Sequence, residues 1–521
     1  MNFCISSIFS VCKKTSISAL RSPKKLVICL SARLVYQSKL LILLVFASLE
    51  LDVFLKTLYK VVVVLSLFSF SVSAQTDSSQ RYKVSSITIS GNKKTKDKII
   101  IRELIKKSGD TLTLRNIDRI NRRGEFNIFN TYLFIYDSIN YKVNDTLKTV
   151  DYSIKVKERW YFWPIPFVDF LDRNLNAWLQ TKDPQRLNYG MALSFDNFTG
   201  VKDRLILQVK TGYANQFGFN YRLPYLNSKQ TVGAYIQYLY TESNKLQYTT
   251  QNNKQLFFSS ENTHLRIEQA AKAGLFYRPK LFIQHSVDIY YNNISISDSI
   301  TDLNPNYFHK GTKNTSYAGM FYRFTFDDRD NKIYPLQGTM FDVTFVKDGF
   351  DISDNSKLNT AQGLFTLKNY FPISKRFNFA NQIKARYLNA EQLPFAFNQA
   401  LGYSNYIRGY EYNVIDGQNY FLLKNSFRFR LIKPKYHEIG ALKKLKPFST
   451  IPFYAYLNIF YDGAYVQENF YKQTNTLANS WQHGYGVGLD LITYYDMVLR
   501  LEYSFNKQNQ SGFYVHLTSG F

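Results

Sequence analysis

A transmembrane antiparallel β-barrel of about sixteen strands, preceded by one small α+β domain, is the mainly β architecture that this 521-residue sequence predicts. Three observations lead there. From residue 159 onward hydrophobicity alternates with a period of two. Aromatic residues make up 17% of the chain, while its mean hydropathy stays at -0.27. Charged residues sit in the middle of the alternating stretches, on the polar face. A chain rich in aromatics but not apolar overall suits strands with one oily and one wet face.

At the N-terminus, residues 51 to 74 read as a secretory signal peptide. Lys56 and Lys60 precede an uncharged apolar run from Val61, and Val72-Ser73-Ala74 forms a small-residue cleavage site before Gln75. The run is too short to span a bilayer. Signal peptides open near their own start, and no methionine lies between Met1 and Met191. Residues 1 to 50 are therefore expected to be a non-native extension, with translation starting at a non-Met codon near Leu51, Val53 or Leu55. Cys4, Cys12 and Cys29 all fall in that extension, and the rest of the chain has no cysteine. This fits an export path and excludes a Cys-ligated metal from the remainder. The net charge is +26, of which the first 60 residues carry +7; the basic residues are spread along the chain without a recognition motif, which argues against nucleic acid as a partner.

Residues 82 to 158 form the small domain. The stretch "YKVSSITISGN" alternates and stops at Gly91-Asn92, a strand and a turn. In "TKDKIIIRELIKKSGD" Ile100 and Leu104, Ile101 and Ile105 fall at helical spacing, which predicts a helix ending at Gly109. A second helix is expected near Leu114 to Arg123, then two strands. Val150, Tyr152, Ile154 and Val156 share one face of the last. The order is βααββ.

The barrel is expected over residues 165 to 521. In "MVLRLEYSFN" Met497, Leu499, Leu501, Tyr503 and Phe505 oppose Val498, Arg500, Glu502, Ser504 and Asn506. A soluble sandwich would bury the first set against a second sheet, whereas a barrel turns it to lipid. Lys424, Arg428 and Arg430, placed mid-strand, would be costly inside a dry core, and this favours the barrel. Short turns (Asn197 to Gly200, "YPLQG", "PISKR") alternate with long polar loops such as 296 to 314. The last strand puts Phe513, Val515, Leu517 and the terminal Phe521 on the oily face.

Four segments, "FTFDDRDNKIYPLQGTMFDVTF" (324 to 345), "IRGY" (407 to 410), "NIFYDGAYV" (458 to 466) and "GYGVGLDL" (484 to 491), occur in an order that resembles the bacterial surface antigen superfamily. That superfamily holds the BamA/TamA-like outer-membrane insertases and the two-partner secretion transporters. With "ITISGNKKTKDKII" and "IKVKER", residues 82 to 158 resemble a POTRA domain, so the resemblance covers about residues 82 to 521. The single unit departs from the several POTRA domains of the main assembly protein.

The resemblance implies a lumen loop anchored by Arg408, Gly409 and Tyr410 against Phe460 and Asp462 on a nearby strand. Strand parity separately turns Asp462 inward. A reciprocal charge swap of Arg408 and Asp462 is expected to restore what either single change loses. It further implies a periplasmic turn motif at Asp327, Arg329, Asp330, Pro335 and Gly338. The terminal signal and weak lateral seam involve residues 167 to 179 against Phe513, Val515, Leu517 and Phe521. Gly484, Gly486 and Gly488 share one face of a strand and are read as room for the inserted loop, not as a nucleotide cradle.

No HExxH, serine elbow or clustered histidine set is present in the sequence, so neither an enzyme nor a metal or other cofactor is expected. The implied setting is the bacterial outer membrane, with the POTRA domain in the periplasm. Expected partners are lipid, unfolded polypeptide clients at the POTRA edge and the barrel seam, and accessory assembly proteins. A spacer role for the POTRA unit, secretion through the lumen and a passive solute pore stay open.

Overall fold

The computed structural model describes residues 80–350, 358–438, 440, 450–493 and 497–518, without the side chains at 136, 435–437, 450, 451 and 518. The expected extension and signal peptide, the three cysteines and Phe521 lie outside the described residues.

The small domain runs through β1 (Arg81–Ser90), α1 (Asp97–Ile101), β2 (Thr111–Thr113), α2 (Leu114–Phe129), β3 (Phe134–Asn144) and β4 (Thr149–Glu158). Its sheet has the order β2-β1-β4-β3, with β1 and β4 parallel. The alternation in β4 buries Val150, Tyr152, Ile154 and Val156, which join Ile99, Ile100, Ile117 and Ile128 of the two helices in one core. The first helix is shorter than its apolar spacing suggests. Beyond Ile101 the amides of Glu103 and Leu104 bond carbonyls only three residues back, which tightens and ends the turn. That bend aims the Glu103 carboxylate out of the domain. The extra strand β2, three residues long, is too short to show a period.

The barrel sheet begins with β5 (Phe162–Phe170), α3 (Leu175–Thr181), β6 (Leu187–Asp196), β7 (Arg204–Gly212), β8 (Ala214–Leu223) and β9 (Val232–Ser243). A separate hairpin follows, β10 (Lys245–Gln251) and β11 (Lys254–Ser259). The sheet resumes with β12 (Arg266–Lys280), β13 (Ile283–Ile296), α4 (Asp298–Leu303), β14 (Asn314–Asp327), β15 (Gly338–Asp348), β16 (Thr360–Pro372) and β17 (Phe377–Asn389). It ends with β18 (Asn419–Glu438), β19 (Thr450–Gln467), β20 (Gln482–Ile492), β21 (Val498–Asn506) and β22 (Ser511–Thr518). Sixteen strands pair antiparallel in chain order, skipping the hairpin. Strand parity sets the two faces: on β21, Val498, Arg500, Glu502, Ser504 and Asn506 are buried, whereas Tyr503 and Phe505 are exposed outward.

The small domain docks on the near mouth of the barrel through its turns. Arg278, at the end of β12, donates two hydrogen bonds to the Glu103 carboxylate, at 2.7 and 2.9 Å. The Arg123 guanidinium donates to Asp328 O and the Asn130 side chain to Asp330 O. Asn197 donates to Thr95 Oγ1, and the Lys96 amide donates to Gly200 O. Gly200 has φ +84°, and a Cβ there would stand 2.4 Å from Lys94 O, so only glycine fits this approach.

Burial opposes ionisation of Glu103, but Arg278 overrides it and holds the carboxyl below its usual value. A depressed carboxylate adds stability that is full above the ordinary pKa and is lost as pH falls through the folded value. Glu103→Gln is expected to weaken the joint by about 3 kcal/mol, since a buried guanidinium loses its charge partner. Hydrogen exchange in the full chain should rise at residues 102 to 104 and at the turn after β12, at neutral pH, while exchange in β4 stays slow.

Candidate functional site

Between β17 and β18 the chain leaves the sheet for a long loop at the far mouth, and the loop turns back into the lumen. A bridge between Leu401 and Ile415 closes its base. At its tip, Arg408 is fully buried. The guanidinium donates to both carboxylate oxygens of Asp462, from Nη2 at 2.5 Å and from Nε at 2.9 Å, and the Arg408 backbone amide donates to the same carboxylate. Nη1 reaches Ser426 Oγ, and Nη2 also donates to Asn425 O. Phe460 lies under the guanidinium, with its ring centroid 3.9 Å from Cζ. Lys424 Nζ stands 3.5 Å from Asp462. The lumen thus surrounds one arginine with charge, hydrogen-bond acceptors and an aromatic face.

The wall is shaped to receive this tip. A Cβ on Gly484 would lie 1.9 Å from Arg408 O, and one on Gly486 would lie 2.8 Å from the Phe460 ring. Gly409, at φ +93°, makes the turn, and its carbonyl accepts from Asn506 Nδ2 at 2.8 Å. Tyr410 donates its hydroxyl to Gln482 at 3.0 Å. Phe460 and Asp462 face inward, while Leu457, Ile459 and Tyr461 are exposed outside.

Loop groups feel this burial. Desolvation pushes the Asp416 carboxyl up to about 6, against the hydroxyls of Thr250 and Tyr403 that donate to it. Burial likewise raises Glu411. Thr250 belongs to the β10–β11 hairpin, whose Asn253 also bonds Thr476 and Leu477. The hairpin therefore covers the loop from above.

The turn after β14 lies at the opposite mouth. Arg329 folds back on Asp327, at 2.8 and 2.9 Å, and the Asp330 carboxylate accepts the amides of Asn331 and Leu336. Gly338 has φ +104°, where a Cβ would lie 2.6 Å from Asp328 O. Pro335 O accepts from Arg428 Nη1 at 3.1 Å. Sequence reasoning missed what this turn inserts: Tyr334, buried under Arg428, donates its hydroxyl to Asp490, which pairs with Arg500 at 2.8 Å. Strand parity puts Arg428 and Arg500 on the inner face, and the strand face of Gly484, Gly486 and Gly488 extends to Asp490.

The two ends of the sheet are β5 and β22, and among the described residues no ladder joins them. Pro164 and Pro166 on β5 have no N–H, and on an edge strand that side faces away from the neighbour. In place of a ladder, Asn176 of α3 donates from Nδ2 to Val515 O (3.1 Å) and accepts from Val515 N at Oδ1 (2.9 Å). One side chain thus stands in for a strand partner. Asn174, two residues earlier, donates to Glu411 O in the lumen loop at 3.0 Å. Phe513 and Leu517 point outward and are exposed.

Residues 197–521 match the Omp85 superfamily domain, and residues 82–159 match the surface antigen variable number repeat, a POTRA unit. The chain is similar in structure to CdiB from Escherichia coli, with 12% identity and a TM-score of 0.51 over 84% of this chain and 76% of that one. It is also similar to BamA from Haemophilus ducreyi lacking POTRA domains 1–3, with 14% identity and a TM-score of 0.46 over 85% of each chain. No curated protein matches the sequence.

Asp462→Asn leaves a buried guanidinium short of its main partner and is expected to destabilise the seated loop by about 3 to 5 kcal/mol. Gly484→Val should dislodge the loop by collision. In both variants the loop becomes sensitive to protease while the barrel keeps its heat-modifiable migration. The reciprocal swap of Arg408 and Asp462 is expected to restore only part of the protection, because an aspartate at 408 cannot satisfy Phe460 and Asn425 O.

Proposed function

The chain belongs to the Omp85 superfamily, and from that premise we propose that it is a non-enzymatic outer-membrane barrel that assists polypeptides into the membrane through its first-to-last strand seam. The observation that carries this reading is the unpaired end of the sheet, where β5 lacks donors at Pro164 and Pro166 and the edge of β22 that faces away from β21 is met at Val515 by the Asn176 side chain. An exposed strand edge offers N–H and C=O groups on which a client strand grows. Replacing one side-chain clasp by a full ladder is favourable, so folding of the client supplies the driving force and no nucleotide is needed.

The small domain, in the periplasm on this reading, offers β3 as a long sheet edge for an extended client. Glu125 from α2 accepts the Ile139 amide at 2.9 Å and blunts part of that edge. Docked on the barrel turns, the domain would deliver a client near the start of β5. The seated loop, with the hairpin over it, favours a lateral route over passage along the lumen.

Purified protein reconstituted in liposomes distinguishes the readings. Faster folding of an unfolded barrel client supports insertion; ion conductance or polypeptide export without that acceleration would sink it. Pro164→Val with Pro166→Val restores two donors to β5 and is expected to slow client folding several-fold, with Asn176→Ala acting in the opposite direction.

A further inference from the structure

Two buried glutamates in the lumen each have one oxygen committed and one without a donor. Glu411 Oε2 accepts the Gly409 amide at 2.9 Å, while its Oε1 has no hydrogen-bond partner. Glu502 Oε1 lies 3.5 Å from Arg408 Nη1 and 3.7 Å from Arg500 Nε, while its Oε2 has no hydrogen-bond partner. The two residues are 2% and 1% exposed. His516 Nε2, also without a hydrogen-bond partner, stands 3.4 Å from Glu411 Oε1 and 3.6 Å from Glu502 Oε2. All three atoms lie within 4.8 Å of one another.

Two desolvated carboxylates at this separation repel unless a cation stands between them. The neighbouring cations also engage other carboxylates: Arg408 reaches Asp462 at 2.5 Å, Arg500 reaches Asp490 at 2.8 Å, and Lys424 stands 3.5 Å from Asp462. Tetrahedral ligands around zinc at about 2.0 to 2.1 Å stand about 3.3 to 3.4 Å apart, close to the two His–Glu separations. The far side of the imidazole is also suited to ligation. Tyr406 stacks on the ring, and its hydroxyl oxygen is 3.5 Å from Nδ1, so in the tautomer protonated at Nδ1 that hydroxyl accepts and the Nε2 lone pair faces the cluster.

We propose that Glu411 Oε1, Glu502 Oε2 and His516 Nε2 form a three-ligand site for a zinc-type divalent transition-metal ion that clips the lumen loop to the last strand. The donor set of one imidazole and two carboxylates, with no sulfur, suits such an ion and leaves a fourth position for water. Glu411 comes from the loop, Glu502 from β21 and His516 from β22, one residue beyond the strand position that Asn176 clasps. The ion therefore braces the seam from the lumen side. This goes beyond the insertion reading and does not depend on it.

The refolded full chain in detergent, stripped with a chelator, is titrated with zinc chloride near neutral pH. One equivalent is expected to bind and to raise the melting midpoint, with binding weakened at least about tenfold in His516→Ala and in Glu411→Gln. Glu411 lies on the loop, so its variant leaves the wall intact, and heat-modifiable migration verifies the fold of both. Absence of saturable binding to the wild-type chain overturns the site. Wild-type affinity in both variants overturns it as well, because the metal then sits on other histidines.

Discussion

A single buried arginine holds the lumen in its observed arrangement. Arg408 gives up hydration to enter the barrel, and it does so only because Asp462, Ser426, Asn425 O and the Phe460 face await it in fixed positions. The cost of leaving either charge alone is large, so the loop has one seated position and no graded alternatives nearby. Other features are subordinate to that contact. Gly484 is bare because the Arg408 carbonyl fills the space of a side chain, and Gly409 adopts positive φ so that Tyr410 can reach Gln482.

The seated loop and the open end of the sheet are built by different means. Strands β18 to β21 carry most of the buried strand charges, and at the near mouth Tyr334 and Arg428 repeat the device with Asp490 and Arg500. Between β22 and β5 no ladder forms among the described residues, and Asn176 bonds Val515 in its place. The segment that supplies it also grips the loop, through Asn174 to Glu411 O, so loop position and seam closure share a short stretch of chain. Coupling of this kind needs no long path. Asn174 and Asn176 lie two residues apart, so the loop contact and the Val515 contact are made by the same turn of chain.

Much of this architecture was legible because a period of two survives in nearly every strand. Parity turned Asp462 and Phe460 inward, and the even run of short turns and long loops made sixteen strands the natural count. The four family segments supplied the pairing of Arg408 with a partner far downstream, which spacing alone could not reveal. What escaped was tertiary. The first helix stops at Ile101 because Glu103 turns toward Arg278, a residue of another domain. Tyr334 read as part of a turn and proved to be a plug. Pro164 and Pro166 were visible, but their meaning depends on β5 being an edge. Glu411, Glu502 and His516 meet only after the loop folds back, so no local spacing could announce them.

The most direct measurement compares two locks in one client-folding assay. Residues 75–521 contain no cysteine, so cysteine pairs placed at 176 and 515, or at 410 and 482, are unique handles for a short bismaleimide bridge. Locking the seam should abolish acceleration of client folding, while locking the loop against β20 should leave most of it. Full acceleration with the seam locked, and its loss with the loop locked, would contradict the lateral route and place the polypeptide path through the lumen.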